Sequence, residues 1–322
     1  MNIVVLDAKT FGEDLDLSPL ETRGEVTVYA LTPPELVVER LENADVAVLN
    51  KVKMTAEILE KLPKLRLICI MATGFDNVDV AFCHQKGIGV SNVVGYSTHN
   101  VAQVTVAMVL SLCTELPIYA RHVSSGAYTQ GGVQNILTPV YHEIAGKTWG
   151  IVGYGNIGKQ VGRVAETMGC RVLVYRKTET DDPRQVSLET LLRESDIVSL
   201  HVPLSAGTKN LIDRHALSLM KPNAMLINVA RGAVTDEAAV AEAIVNRKLG
   251  FFGADVYATE PFDVKHPFTK IATYPNVCLT PHMAWGSYEA RRRCLSETVE
   301  NIAAFQKGEF RNRVDMKAGD GA

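Results

Sequence analysis

The chain has 322 residues, a formal net charge of −3, and a composition that is 47% hydrophobic and 21% charged. That length provides for two ordinary cores, and the proportions are those of a globular chain. The charge balance excludes the basic footprint of a nucleic-acid binder, and no apolar run reaches the ~18 residues that a membrane span needs.

Short apolar runs at 3–6, 26–29, 46–49, 67–70 and 88–90 alternate with helix-like stretches, among them 34–41 and 55–62. This rhythm calls for a parallel sheet covered by helices on both faces. No basic stretch precedes the first run, so neither a leader nor an anchor is expected and the chain is expected to be cytoplasmic. No glycine fingerprint follows that run either, so this first unit is not expected to hold a dinucleotide. A long helix is expected over 100–115; being apolar nearly all round, it points to burial between domains or in a subunit contact. Residues 126–139 are rich in Gly, Ser, Thr and Gln and read as a loop or arm.

A second series follows, with strands at 148–152, 172–175, 197–201, 224–229, 250–256 and 277–280 and helices at 157–168, 188–193 and 236–246. A last helix, 287–305, can return to either domain, and the polar tail beyond it is expected to fray. The six cysteines form no CxxC pair and several lie in apolar runs, which favours reduced thiols over disulfides or a metal site. The run Arg291, Arg292 and Arg293 reads as a solvated helix face.

Gly153, Tyr154, Gly155, Asn156, Ile157 and Gly158 fit G-x-G-x-x-G, between an apolar strand and a helix. The first glycine permits a tight turn, the second lets the backbone approach a pyrophosphate, and the third lets the helix pack close to the strand. The next strand then ends in Arg176, Lys177 and Thr178. An NAD site normally places a carboxylate there for the ribose hydroxyls; these residues instead suit a 2′-phosphate. NADP(H) is therefore the expected cofactor, with NAD(H) as the alternative.

Reducing a 2-keto acid needs a hydride donor, a proton for the carbonyl oxygen, and a cation for the carboxylate. Arg231, Glu260 and His282 each follow a strand in this second series, where open α/β sheets build their sites. A guanidinium at Arg231 grips a carboxylate and polarises a keto group. A carboxylate beside an imidazole favours the imidazolium, so Glu260 and His282 make a sound proton donor. Singly, such residues are usually surface or satisfied groups, and the same holds for His84, His99, His122, His142, His201, His215 and His266. Gly95-Tyr96-Ser97-Thr98-His99 lacks the closing glycine of a nucleophile elbow, and His142-Glu143 lacks a histidine at 146, so neither supports a hydrolase.

Taken with Thr73-Gly74-Phe75-Asp76-Asn77-Val78-Asp79, Asn92-Val93-Val94-Gly95, Asn228-Val229-Ala230-Arg231-Gly232, Asp255 through Pro261, and Pro281-His282, the chain resembles the D-isomer-specific 2-hydroxyacid dehydrogenases over essentially its whole length. The segment ending His282-Met283-Ala284-Trp285 is similar to glycerate dehydrogenases, also called hydroxypyruvate reductases. The resemblance implies a small 2-keto or 2-hydroxy acid substrate of D configuration, most simply hydroxypyruvate or glyoxylate. It also implies two doubly wound α/β domains with a cleft between them. Residues 1–98 and 287–322 would form a flavodoxin-like substrate domain, and 99–286 a Rossmann coenzyme domain. By resemblance, Asp255 binds the nicotinamide carboxamide, while His201, Val202, Pro203, Thr208, Val229 and Ala230 line the cofactor. Backbone N–H groups at Thr73 and Gly74 receive the substrate carboxylate, and a homodimer is implied. Lys51, after the strand at 46–49, is a further candidate cation at the substrate. Arg176 departs from the family's commonest pattern, which carries an acid there. A competing reading is a dinucleotide-sensing binding protein, corepressor-like, with little turnover.

Overall fold

Eleven strands among residues 1–316, which the computed structural model describes, form two separate sheets in which every pairing is parallel. The end of the tail expected to fray lies outside the described residues. The chain divides into two units: residues 1–97 with the chain from Gly286 onward, and Thr98–Trp285.

In the first unit, β1 (Asn2–Val5), β2 (Glu25–Val28), β3 (Val46–Leu49), β4 (Leu67–Ile70) and β5 (Gly89–Ser91) lie in the order β2-β1-β3-β4-β5. The interior strands β3 and β4 are buried at every residue, whereas the edge strand β2 is largely exposed. Unbroken apolar runs such as Val46–Leu49 suit strands covered on both faces. Connections include α1 (Val37–Leu41), α2 (Ala56–Leu59) and α3 (Val80–Lys86). The last was not evident in the sequence; Asp79 starts it by accepting the Phe82 N–H, and Gly87 ends it in a left-handed conformation. The C-terminal helix, α11 (Tyr288–Gln306), belongs to this unit: Asn301 donates to the Asn92 carbonyl at 3.0 Å and Arg293 to the Tyr96 carbonyl at 2.9 Å.

The second unit opens with α4 (Thr98–Thr114), α5 (Leu116–Ser124) and α6 (Ala127–Gly131). One face of α4, including Val101, Thr105, Met108 and Leu112, is spent in the core of its own unit. Pro117 explains why α5 is separate: proline cannot continue a helix whose backbone it would block, and Glu115 turns the chain at φ +50°. The five-residue α6 replaces part of the loop expected over 126–139. No single helix among the described residues is long and apolar enough to cross a membrane; α4 and α5, bent by 65°, meet that measure only as a pair.

The sheet follows: β6 (Thr148–Val152), α7 (Asn156–Thr167), β7 (Arg171–Tyr175), α8 (Leu188–Glu194), β8 (Ile197–Leu200), α9 (Arg214–Leu219), β9 (Met225–Asn228), α10 (Glu237–Val245), β10 (Phe251–Ala254) and β11 (Val277–Leu279), in the strand order β11-β10-β9-β8-β6-β7. Ser187, Asp213 and Asp236 cap α8, α9 and α10 by accepting backbone N–H groups. The six-residue α9 is too short to show helical periodicity, and its signal in the sequence is the Asp213 cap.

A buried polar thread crosses this core. Trp149 donates its indole N–H to Ser199 Oγ at 2.9 Å, and Ser199 Oγ lies 3.0 Å from His201 Nε2. His201 as a residue keeps some surface, but its Nδ1 is buried without a partner. Burial pushes its imidazole down to about 3 from the ordinary 6.5. Folded His201 therefore stays neutral at pH values where the unfolded chain takes up a proton, so stability falls as pH drops below about 6.5. One proton contributes at most about 1.4 kcal/mol per pH unit. Urea unfolding at pH 7 and pH 5 should show a smaller acid loss in His201→Gln than in the wild type; equal losses would contradict a neutral buried imidazole.

Candidate active site

Strand β6 is where the strand order reverses, with β7 on one side and β8 on the other. Crevices outside the carboxyl ends of strands open at such points. The fingerprint turn sits there, and its three glycines answer to different constraints. Gly153 has φ +96°, and a Cβ on it would lie 2.7 Å from the His201 backbone. A Cβ on Gly158 would collide with the Gly153 carbonyl, so α7 can pack this close only with glycine. At Gly155 a Cβ would meet no protein atom within 4 Å, and α7 opens on this residue with no side-chain cap. That open space before backbone N–H groups at the positive end of a 12-residue helix fits a dinucleotide pyrophosphate. Tyr154 directs its side chain into the core, where the Arg184 guanidinium lies 5.0 Å from its ring centre; Ile157 also packs there, while Asn156 is exposed.

Past β7, Arg176 is half-buried and Lys177 and Thr178 are exposed. Gln185 holds this turn, donating to the carbonyls of Thr178 (3.1 Å) and Arg176 (3.4 Å) and accepting from the Thr180 hydroxyl at 2.6 Å. Beyond β8, Thr208 folds the next loop by donating to the Pro203 carbonyl at 2.6 Å, with Val202 half-buried beside it.

Arg231, Glu260 and His282 follow three neighbouring strands, β9, β10 and β11, which run in register through Asn228, Ala254 and Leu279. Asn228 shapes the first turn: its amide donates to the Arg231 carbonyl at 2.9 Å and accepts from Ala230 N–H at 3.1 Å. Arg231 Nη1 is fixed by the Ala230 carbonyl at 2.9 Å, beside buried Val229. Gly232 then passes so close to the backbone of Tyr257 and Ala258 that any Cβ would collide with it. This contact brings the Arg231 segment against the turn that carries Glu260. Thr235, whose role was not evident in the sequence, is buried and donates to the Gly232 carbonyl at 3.0 Å.

Glu260 Oε2 and His282 Nδ1 lie 2.6 Å apart, with side chains 29% and 20% exposed. His282 holds φ +53°, a conformation that costs a non-glycine residue roughly 1–2 kcal/mol. Its neighbours are fastened by Asp255, which accepts from the Thr280 hydroxyl (2.6 Å), Met283 N–H (2.8 Å) and Ala284 N–H (2.9 Å). Burial raises the Asp255 carboxyl above its ordinary value against the opposing pull of these donors. The Tyr257 hydroxyl adds a bond to the Thr280 carbonyl at 2.9 Å.

In the first unit, Lys51 is exposed after β3, and its N–H donates to the buried carboxylate of Asp7 at 2.7 Å. Asp7 also accepts from Asn50 and Val52, so it shapes the whole Lys51 turn. Thr73 donates its hydroxyl to the Val93 carbonyl at 2.8 Å and accepts from Asn92 Nδ2 at 2.7 Å, which fixes the turn before Gly74. Sequence reasoning missed Asp7 and Gln185. Asp7 had a faint signal, an acid closing an apolar strand; the Gln185 contacts join residues five to nine positions apart in a loop with no pattern.

Residues 106–284 match the family model described as the D-isomer-specific 2-hydroxyacid dehydrogenase NAD-binding domain. The chain is 39% identical to a glycerate dehydrogenase of Methylorubrum extorquens, over 88% of this chain and 89% of that protein. It is 34% identical to a hydroxypyruvate reductase of Blautia hydrogenotrophica, over 96% and 98% of the two chains. Among solved structures, an acyclic imino acid reductase in complex with NADPH and D-Arg superposes with a TM-score of 0.85 at 29% identity, covering 98% of this chain and 100% of that one. These matches do not favour the dinucleotide-sensing alternative. The chain belongs to the D-isomer-specific 2-hydroxyacid dehydrogenase family, as an oxidoreductase of the CH–OH group that uses a nicotinamide dinucleotide and small 2-hydroxy or 2-keto acids.

Proposed function

We propose that the chain reduces a small 2-keto acid, hydroxypyruvate or glyoxylate, with NADP(H), giving the D isomer where the 2-hydroxy acid is chiral. The observation that carries this reading is the 2.6 Å pair of His282 Nδ1 and Glu260 Oε2 on the sheet end that also bears the fingerprint turn. With Nδ1–H directed at Glu260, protonated His282 presents Nε2–H to the keto oxygen; in the oxidative direction neutral Nε2 takes the hydroxyl proton. Arg231 grips the carboxylate and polarises the keto group, so negative charge growing on oxygen meets a fixed cation. Bound NADPH supplies the hydride to the carbonyl carbon.

The residues that would hold the cofactor are those of the fingerprint, 153–158, with His201, Val202, Pro203, Thr208, Val229 and Ala230 along its length. Asp255 would take the nicotinamide carboxamide: a carboxylate has about four acceptor sites, and three are used by Thr280, Met283 and Ala284. Arg176, Lys177 and Thr178 would receive the 2′-phosphate, which supports NADP(H) over NAD(H). Arg231 would receive the substrate carboxylate, and Thr73, Gly74 and Lys51 of the first unit are proposed as substrate-binding residues in their own right. In this reading residues 1–98 and 287–322 serve the substrate, residues 99–286 serve the coenzyme, and the protein is cytoplasmic. A homodimer is supported by exposed apolar side chains along 116–141, among them Leu116, Val123, Leu137 and Val140 at 62%, 59%, 71% and 71% exposure.

Arg231→Gln and His282→Gln should each lower kcat/KM for the keto acid by about 10²–10⁴. Cofactor Kd, followed by fluorescence, should stay within about twofold; wild-type rates in both variants would remove the proposed site. Arg176→Ala should lower kcat/KM for NADPH by more than about tenfold, the scale of one charged contact to a phosphate, and leave NADH nearly unchanged. An NADH kcat/KM equal to or above that for NADPH in the wild type would overturn the cofactor preference.

A further inference from the structure

The same unit holds a second carboxylate–imidazole pair. Glu237, the first residue of α10, and His266, in the loop between β10 and β11, meet through Oε2 and Nε2 at 2.9 Å, with side chains only 11% and 9% exposed. The tautomer follows from the other contacts: His266 Nδ1 accepts the Phe268 N–H at 3.2 Å, so the ring proton is on Nε2 and is donated to Glu237. The remaining oxygen of Glu237, Oε1, accepts the Ala258 N–H at 2.9 Å. His266 also stacks on Phe262, ring centres 4.6 Å apart, and meets the edge of Tyr257 at 6.2 Å.

These contacts converge on one short turn. Tyr257, Ala258 and Phe262 flank Glu260, and Glu260 Oε1 accepts the Tyr257 N–H at 2.9 Å. One oxygen of Glu260 is therefore tied to the turn and the other to His282. Gly232 also packs against the Tyr257–Ala258 peptide, where no Cβ fits. Glu260 has no rigid element of its own, since residues 255–266 form neither helix nor strand.

We propose that Glu237 and His266 are positioning residues for Glu260, clamping the Tyr257–Phe262 turn so that Glu260 Oε2 stays in register with His282 Nδ1; this rests on the roles proposed above for Glu260 and His282. A buried carboxylate–imidazole pair is a poor stabiliser compared with an apolar pair of the same volume. What this pair supplies is direction: a carboxylate with one oxygen on the turn and one on a stacked ring sets the turn's position in a way that apolar packing does not.

The test is a double-mutant cycle between Glu237→Ala and Glu260→Gln, read as kcat for keto-acid reduction and KM for NADPH. Glu260→Gln should lower kcat by about tenfold or more. Glu237→Ala alone should lower kcat by about 10–100-fold, the scale of an ångström-sized misplacement, with the NADPH KM within about twofold. In the Glu260→Gln background the same substitution should cost less than about threefold, because the group it positions is already gone. Glu237→Gln, whose single acceptor oxygen can serve the Ala258 N–H or the His266 Nε2–H but not both, should recover only part of the rate. Should Glu237→Ala fail to fold, His266→Gln is read through the same cycle. Independent losses in the two backgrounds, or wild-type kcat in Glu237→Ala beside an impaired Glu260→Gln, would overturn the clamp alone. Wild-type kcat in Glu260→Gln would remove the role of Glu260 and the clamp with it.

Discussion

The carboxylate of Asp255, buried at the end of β10, holds Thr280, Met283 and Ala284 at once, and His282 lies between the residues it holds. The left-handed backbone of His282 costs roughly 1–2 kcal/mol. Hydrogen bonds to a charged acceptor contribute about 1.5–3 kcal/mol each, enough to offset that strain. The imidazole is thereby presented at the sheet end in one orientation, where Glu260 meets it. Since β9, β10 and β11 run in register, fixing the β10 end also sets the distances to the turns that follow its neighbours.

The three glycines of the fingerprint show how one residue type serves unlike demands. Gly153 and Gly158 are required by the protein itself, because His201 and the Gly153 carbonyl fill the space a side chain would take. Gly155 is required by nothing in the protein, since a Cβ there touches no atom. In the proposed reading, a cofactor pyrophosphate is the group that needs this backbone bare. The uncapped start of α7, beside the side-chain caps of α8, α9 and α10, follows the same logic.

Much of this was legible in the sequence because strands covered on both faces are unbroken apolar runs, and polar residues just after them lie on one sheet end. That rule put Arg231, Glu260 and His282 on one sheet end before any distance was known, and Glu260 and His282 meet there although they are 22 residues apart. It was silent where local patterns are weak. The helix α6 arises in a stretch read as loop, and α9 is a single capped turn and a half. The side on which α11 packs is decided by Asn301 and Arg293 reaching carbonyls some two hundred residues away. Glu237 and His266 were invisible as a pair for the same reason: each alone is an ordinary polar residue, and only the fold closes the 29 residues between them. Asp255 was recognised only through resemblance, and its hold on the His282 turn appears only in the folded chain.

The most direct measurement is the loss of absorbance at 340 nm when the purified protein is given NADPH, or NADH, with hydroxypyruvate, glyoxylate, pyruvate or phenylpyruvate. Turnover is expected with hydroxypyruvate or glyoxylate, faster with NADPH than with NADH, and the product from hydroxypyruvate should be the D-2-hydroxy acid. Tight cofactor binding without turnover on any of these keto acids would contradict a hydride-transfer site built from Arg231, Glu260 and His282.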